Sequence, residues 1–220
     1  MTGISGGAIV LSPAGKQIMT LTAIDYPKAL SLLSSMYLLT PTREAIEALK
    51  AALSVDMREP LVDLKEALDM INMSSDEELD DLLWEYTRLF IGPYRLPCPP
   101  WESVYTSSKK LMMQEAYDEV RQLYNEIGLT LNNPDIIADH IGAELNFIGL
   151  LLQKAKDDPT RENYYTDIKI RFLDRHIMKW VPQFARDMEE AAESALYKAL
   201  ARATLKLVSL LKQPLPGELS

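Results

Sequence analysis

Ser75-Asp76-Glu77-Glu78-Leu79-Asp80-Asp81-Leu82-Leu83-Trp84-Glu85-Tyr86-Thr87-Arg88-Leu89-Phe90 reads as the start and body of one amphipathic helix. Ser75, with Glu78 three residues on, forms a capping box that satisfies the first free backbone N–H groups. Leu79, Leu82, Leu83, Tyr86, Leu89 and Phe90 then recur at three- and four-residue spacing, the signature of a single apolar helix face. The same grammar extends upstream. Asp25-Tyr26-Pro27 opens a stretch with Leu30, Leu33, Met36 and Tyr37, stopped by Thr40-Pro41. Thr42 starts a second helix carrying Ala45, Ile46, Leu49 and Leu53. Pro60 suits the first position of a third, with Leu61, Leu64, Leu68 and Ile71 in phase.

Downstream the elements lengthen. Residues 108 to 127 place Leu111, Ala116, Val120, Leu123 and Ile127 on one face, and Gly128 fits a left-handed C-terminal cap. Asn133-Pro134-Asp135 combines a cap, a first-turn proline and an acid at the positive helix end, so a helix is predicted from there to Asp157-Asp158-Pro159. Another is predicted from Thr160 to about Met178, and a last long one from Pro182 to Lys212. Between residues 16 and 216 glycine occurs only at 92, 128, 142 and 149, too seldom for the frequent tight turns of a strand-rich fold. No repeat of fixed period and no sustained heptad is present. The expectation is an all-α fold, a single globular helical bundle domain with a proline-rich loop between its halves.

The 220 residues, 47% hydrophobic and 25% charged, suffice for one well-buried core. Residues 1–15 hold four of the nine glycines and read as a flexible tail ahead of a helical domain over 16–213. Within that domain the N-terminal half runs to about 91, the loop and hinge span 92–108, and the C-terminal half covers 109–213. No basic residue precedes the short apolar run Ala8-Ile9-Val10-Leu11, so no export signal is expected. No apolar run approaches the roughly 18 residues needed to span a bilayer. The single cysteine, Cys98, excludes an internal disulfide framework and a thiolate zinc cluster. A formal charge of −9 argues against nucleic acid and is compatible with a basic partner.

One segment breaks the helical rhythm. Gly92-Pro93-Tyr94-Arg95-Leu96-Pro97-Cys98-Pro99-Pro100-Trp101 packs four prolines into ten residues beside two large aromatics. Proline removes a donor and clashes with the preceding turn, so this is a stiff, apolar loop. Two readings follow: a surface that loses little entropy when something docks on it, or a strut whose Trp101 plugs the core.

A second anomaly lies after Pro134. Projected at helical spacing, Ile137, Ile141, Ile148, Leu151 and Leu152 form one stripe. Glu144 falls inside that stripe, His140 on its edge, and Asp139 toward the opposite side. An ionised carboxylate in a dry core is costly, so Glu144 either has a buried partner, such as an arginine from another helix, or lines a cleft with His140 that accepts hydrogen bonds from a cationic ligand. An enzyme reading is also open: His140, Glu144 and His176 as ligands of a metal-dependent hydrolase. Against it stand two histidines in all and no HExxH, P-loop, GxGxxG or GxSxG motif. Cys98, flanked by prolines with no histidine nearby, lacks the surroundings of a nucleophile.

The run Glu85-Tyr86-Thr87-Arg88-Leu89-Phe90-Ile91-Gly92-Pro93, followed by Pro97-Cys98-Pro99-Pro100-Trp101-Glu102-Ser103-Val104-Tyr105, closely resembles the signature of the TorD/DmsD family of redox-enzyme maturation chaperones. Asp139-His140-Ile141 with Glu144-Leu145 resembles that family's second motif. Phe172-Leu173-Asp174-Arg175-His176-Ile177 with Trp180, Pro182 and Phe184 resembles its C-terminal helix pair. The resemblance implies a cytoplasmic, all-helical chaperone without a catalytic site. It implies binding of the twin-arginine signal peptide and the apo form of a molybdopterin-containing reductase subunit, whose export waits until cofactor is inserted. By the same resemblance the signal-peptide residues are Tyr86, at a position where relatives can carry tryptophan, Leu89, Phe90, Pro100, Trp101, Asp139 and His140. Glu144 joins them from the helical projection, with Asp139 or Glu102 as other candidates for the anionic end. The expected peptide path lies between the 92–105 loop and the helix following Pro134. Guanine nucleotide and the molybdenum cofactor are associated with family members, but without a P-loop no bound cofactor is expected. The assembly expected is a monomer or a domain-swapped dimer hinged between Trp101 and Ser108.

Overall fold

Helix α1 (Tyr26–Leu38) and helix α7 (Ile141–Asp157) lie side by side at the centre of the protein. Two glycines of α7 permit their approach. A Cβ on Gly142 would meet Leu38 Cγ at 2.5 Å, and one on Gly149 would touch Pro27 and Leu30. Ser34 Oγ donates to the Gly142 carbonyl at 2.7 Å, pinning the pair. The computed structural model describes residues 24–53, 59–93, 95–131 and 135–213. The expected N-terminal tail lies outside these residues.

Around this pair stand α2 (Arg43–Ala52), α3 (Val62–Asp69), α4 (Asp76–Tyr86), the short α5 (Glu102–Thr106), α6 (Glu115–Glu126), α8 (Glu162–Phe172), α9 (Met178–Ala191) and α10 (Ala195–Leu211). The caps read from sequence are in place: Asp25 accepts from Lys28 N, Thr42 from Ala45 N and Ser75 from Glu78 N. Helix α4 runs into a wider π turn, Thr87–Ile91, that drives Leu89 and Phe90 inward. There Phe90 meets Tyr86, Tyr37 and Tyr197 edge-on, with ring centroids 5.4, 5.8 and 6.0 Å apart. One apolar core runs from Ala29 to Leu211, joining the segments before and after the proline loop. The fold is all-α; among the described residues there is no strand, and no helix is long and apolar enough to cross a membrane.

Four predicted boundaries change, two of them through a partner distant in sequence and two through local backbone geometry. Helix α7 begins at Ile141, not near Pro134, because the Asp139 carbonyl accepts from Glu102 N (2.9 Å) and Ile141 N donates to the Pro100 carbonyl (2.9 Å). This isolated antiparallel bridge holds the chain extended, and His140 then caps the helix. Helix α6 begins at Glu115 rather than 108. Lys110 and Met113 take left-handed conformations (φ 54° and 55°), which no continuing right-handed helix contains. The predicted boundary near Met178 disappears: α8 passes through a π turn, Leu173–Ile177, straight into α9, with Pro182 inside that helix rather than at its start. The predicted long last helix is two, broken after Ala191. The buried Glu85 carboxylate accepts from Glu193 N and Ser194 N, and Ser194 Oγ accepts from Tyr197 N, so α10 starts afresh.

Candidate functional site

The proline loop leaves the π turn at Gly92, whose φ of 103° is open to glycine and costly for other residues. Gly92 N closes that turn on the Thr87 carbonyl at 2.9 Å. Cys98 is fully buried, with its Sγ 3.6 Å from the Leu89 carbonyl. Burial, reinforced by the Asp187 charge, pushes the thiol up to about 12, so it is no nucleophile at neutral pH. The loop ends on the bridge of Trp101 to His140, whose rings meet at 6.0 Å and 71°.

Behind that bridge three carboxyl groups and a histidine are sealed from solvent. Asp139 Oδ2 accepts from Ser103 N at 2.9 Å and from the Ser103 hydroxyl. Glu102 Oε2 lies 2.9 Å from His176 Nδ1, and Glu144 Oε2 accepts from Trp180 Nε1 at 3.0 Å. Burial raises the Glu144 carboxyl well above its ordinary value, and the charges of Glu102 and Asp139 raise it further. Burial likewise raises Asp139, against the lowering effect of its bonds to Ser103. Burial lowers the His140 ring to about 4, and its Nδ1 accepts from Gly142 N, so it is neutral and acts as a cap.

These positions correct the sequence reading of Glu144. It stands in no cleft, and the partner on its Oε2 is an indole rather than an arginine. Asp139 and Glu102 are equally closed off, so none of the three forms an open acidic end. The hydrolase alternative loses its geometry too: His140, Glu144 and His176 are each engaged elsewhere, and among the described residues no three such groups converge as metal ligands.

A pH effect follows from Glu144. The folded protein keeps a proton that the unfolded chain, near the ordinary 4.5, releases. Stability from this group is therefore complete below about pH 4.5 and falls by about 1.4 kcal/mol per pH unit above it, until the folded carboxyl itself ionises. Glu144→Gln is expected to flatten the decline that sets in above about pH 4.5, measured by urea unfolding at several pH values. Parallel curves for both proteins would show that the carboxyl is ionised in the fold.

The open feature lies on the other side of the loop. A groove of about 1060 Å³ has Leu96, Pro97, Pro99 and Trp101 as one wall and Leu111 and Met112 facing them. Tyr105 from α5 and Gln183 and Asp187 from α9 also line it. Leu111 is 57% exposed and Met112 36%, large apolar surface held out to water. Among the described residues Asp187 is the only carboxylate lining the groove, with Arg95 and Lys110 as its cations.

Of the predicted site residues, Trp101 lines this groove and His140 borders Trp101. Pro100, Leu89, Phe90 and Tyr86 are buried and do not line it, Tyr86 donating its hydroxyl to the Tyr37 carbonyl at 3.1 Å. Between the 92–105 loop and the start of α7 the Trp101–His140 bridge joins the two segments, and the groove is lined by the loop, residues 110–114 and α9. Leu111 and Met112 escaped notice as groove residues because their spacing fits a helix interior. Asp187 carried no signal beyond being one acid on a polar helix face.

The family model described as nitrate reductase delta subunit matches residues 42–186. A chaperone protein TorD from Photobacterium profundum is 23% identical over 150 residues, covering 66% of this chain and 68% of the relative. A Tat proofreading chaperone DmsD from Salmonella typhi is 31% identical over 143 residues, 62% of this chain and 63% of the relative. A crystal structure from Archaeoglobus fulgidus, described as of a redox enzyme maturation protein, superposes with a TM-score of 0.59 at 21% identity. It covers 88% of this chain and 99% of that one.

Proposed function

Since the chain belongs to the nitrate reductase delta subunit family, with TorD and DmsD chaperones among its relatives, we propose that it is the cytoplasmic, system-specific chaperone of a molybdenum reductase. Its client is the apo catalytic subunit, held by its twin-arginine signal peptide until cofactor is inserted, so that export does not come early. The chaperone itself carries no resident cofactor.

The observation that carries this reading is the apolar groove beside Trp101 with a carboxylate in its wall. A twin-arginine signal offers two guanidinium groups followed by a moderately apolar stretch. Arginine forks favour carboxylates, and Asp187 supplies one beside the apolar walls. Trp101, Leu111 and Met112 suit the apolar stretch. The proline-rich wall is stiff before the peptide arrives, which limits the ordering cost of binding. The net charge of −9 steers a cationic peptide inward and makes association salt-sensitive.

Isothermal titration with a synthetic peptide bearing adjacent arginines and an apolar tail tests this. The peptide is expected to bind, and its version with both arginines replaced by alanine to bind at least tenfold more weakly, roughly one charge-assisted hydrogen bond. Asp187→Asn is expected to remove most of that preference. Equal affinity for both peptides would remove the electrostatic half of the proposal, and no binding of either would remove the whole.

A further inference from the structure

A second concave surface, sharing no lining residue with the groove, lies where the end of α3, the outer side of α4 and the start of α10 meet. It encloses about 500 Å³. Its apolar residues include Met70, 78% exposed, and Trp84, 60% exposed, with Ala67 and Leu196 beside them. Met70 is the most exposed of the large apolar side chains among the described residues, and an indole beside it at 60% exposure makes an apolar patch held out to water. Four carboxylates line the same cavity, Glu78, Asp81, Glu85 and Glu193, and among the described residues no lysine or arginine does.

The neighbourhood already contains one example of the chemistry such a surface selects. Arg88 lays its guanidinium over the Trp84 ring at 5.5 Å, 3.3 Å from Glu193 and 3.9 Å from Glu85, and donates to the Ala191 carbonyl at 2.9 Å. An arginine stacked on an indole between carboxylates is a favourable arrangement for a planar cation. Asp81 and the exposed edge of Trp84 extend it outward, where no lysine or arginine among the described residues lines the cavity.

We propose that this surface docks a second protein segment, a basic amphipathic helix with lysine or arginine flanking an apolar face. The apolar face lies against Met70 and Trp84, and the cations meet Asp81 and Glu193. Charge complementarity decides the occupant: an acidic, apolar concavity repels a second copy of this acidic chain and attracts a cationic helix. A chaperone with two such surfaces holds its client at two points, so each contact can be weak while the pair is tight.

The test uses the full chain and a synthetic leucine–lysine amphipathic peptide, followed by calorimetry at low and moderate salt. Binding that weakens with salt is expected. Trp84→Ala and the double variant Met70→Lys/Asp81→Lys should each weaken it at least tenfold, as loss of a hot-spot anchor does. Asp118→Lys/Glu119→Lys on exposed α6 moves the net charge further and should change affinity less than about twofold. The leucine–glutamate counterpart should not bind. The residues substituted in this cavity and on α6 are exposed, and circular dichroism checks that the fold is kept. The proposal is overturned if both cavity variants bind as the parent does, or if the α6 variant weakens binding equally, leaving bulk charge as the cause. It is overturned as well if Trp101→Ala abolishes binding, which would put the peptide in the groove, or if Trp84→Ala instead dissolves a self-associated form in sedimentation. The twin-arginine titration is read separately, so either surface can fail alone.

Discussion

Trp180→Ala is expected to lower the unfolding free energy by about 4 kcal/mol, the usual cost of truncating a large buried aromatic. Trp180 is fully buried and packs against Phe184 at 5.3 Å and Tyr105 at 5.5 Å between ring centroids. Its indole N–H is also the donor to Glu144 Oε2. Truncation leaves a cavity and strips a buried carboxyl of the donor to that oxygen, and the two losses reinforce each other. Trp180→Phe retains much of the volume but not the donor, and about half the effect is expected. Urea unfolding checks this through the midpoint at unchanged slope. A midpoint for Trp180→Ala equal to that of the parent would show that the ring is not buried as described.

Trp101→Ala is expected to weaken signal-peptide binding about 30-fold, roughly 2 kcal/mol, while moving the urea midpoint little. The side chain lines the groove, whereas the bridge to His140 is made by backbone atoms that alanine keeps. Phe90→Leu makes the contrast. Phe90 is buried among Tyr37, Tyr86 and Tyr197, so its loss is expected in stability before affinity. Titration of both variants with the same arginine-bearing peptide separates the two. Unchanged affinity for Trp101→Ala at intact fold would place the peptide elsewhere.

The two effects mark what was legible in the chain. Asp25, Thr42 and Ser75 were readable as caps because each acts on a backbone N–H three residues away, within its own segment. The α4 face was readable for the same reason: its apolar spacing is a local property. The break after Ala191 was hidden because its cap includes Glu85, over a hundred residues earlier in the chain. Ser194 was the one available signal, an N-cap type inside an otherwise helical pattern. The start of α7 was misread because Asn133-Pro134-Asp135 is a good local start. The bridge between Trp101 and His140, and the backbone bonds beside it, outweigh that preference.

The site divides along the same line. Helix type, the stiffness of the proline loop and the kinship of its motifs are all set by short-range chemistry, and the amino-acid sequence alone determined them. Whether a polar residue within an apolar stripe faces a groove or the interior depends on what packs over it. Here Trp180 and Ser103 close over Glu144 and Asp139, while left-handed turns at Lys110 and Met113 bend Leu111 and Met112 out to face Trp101. Only the tertiary structure decided which surface is open, because solvent access comes from chain segments meeting across long separations and no local spacing encodes it.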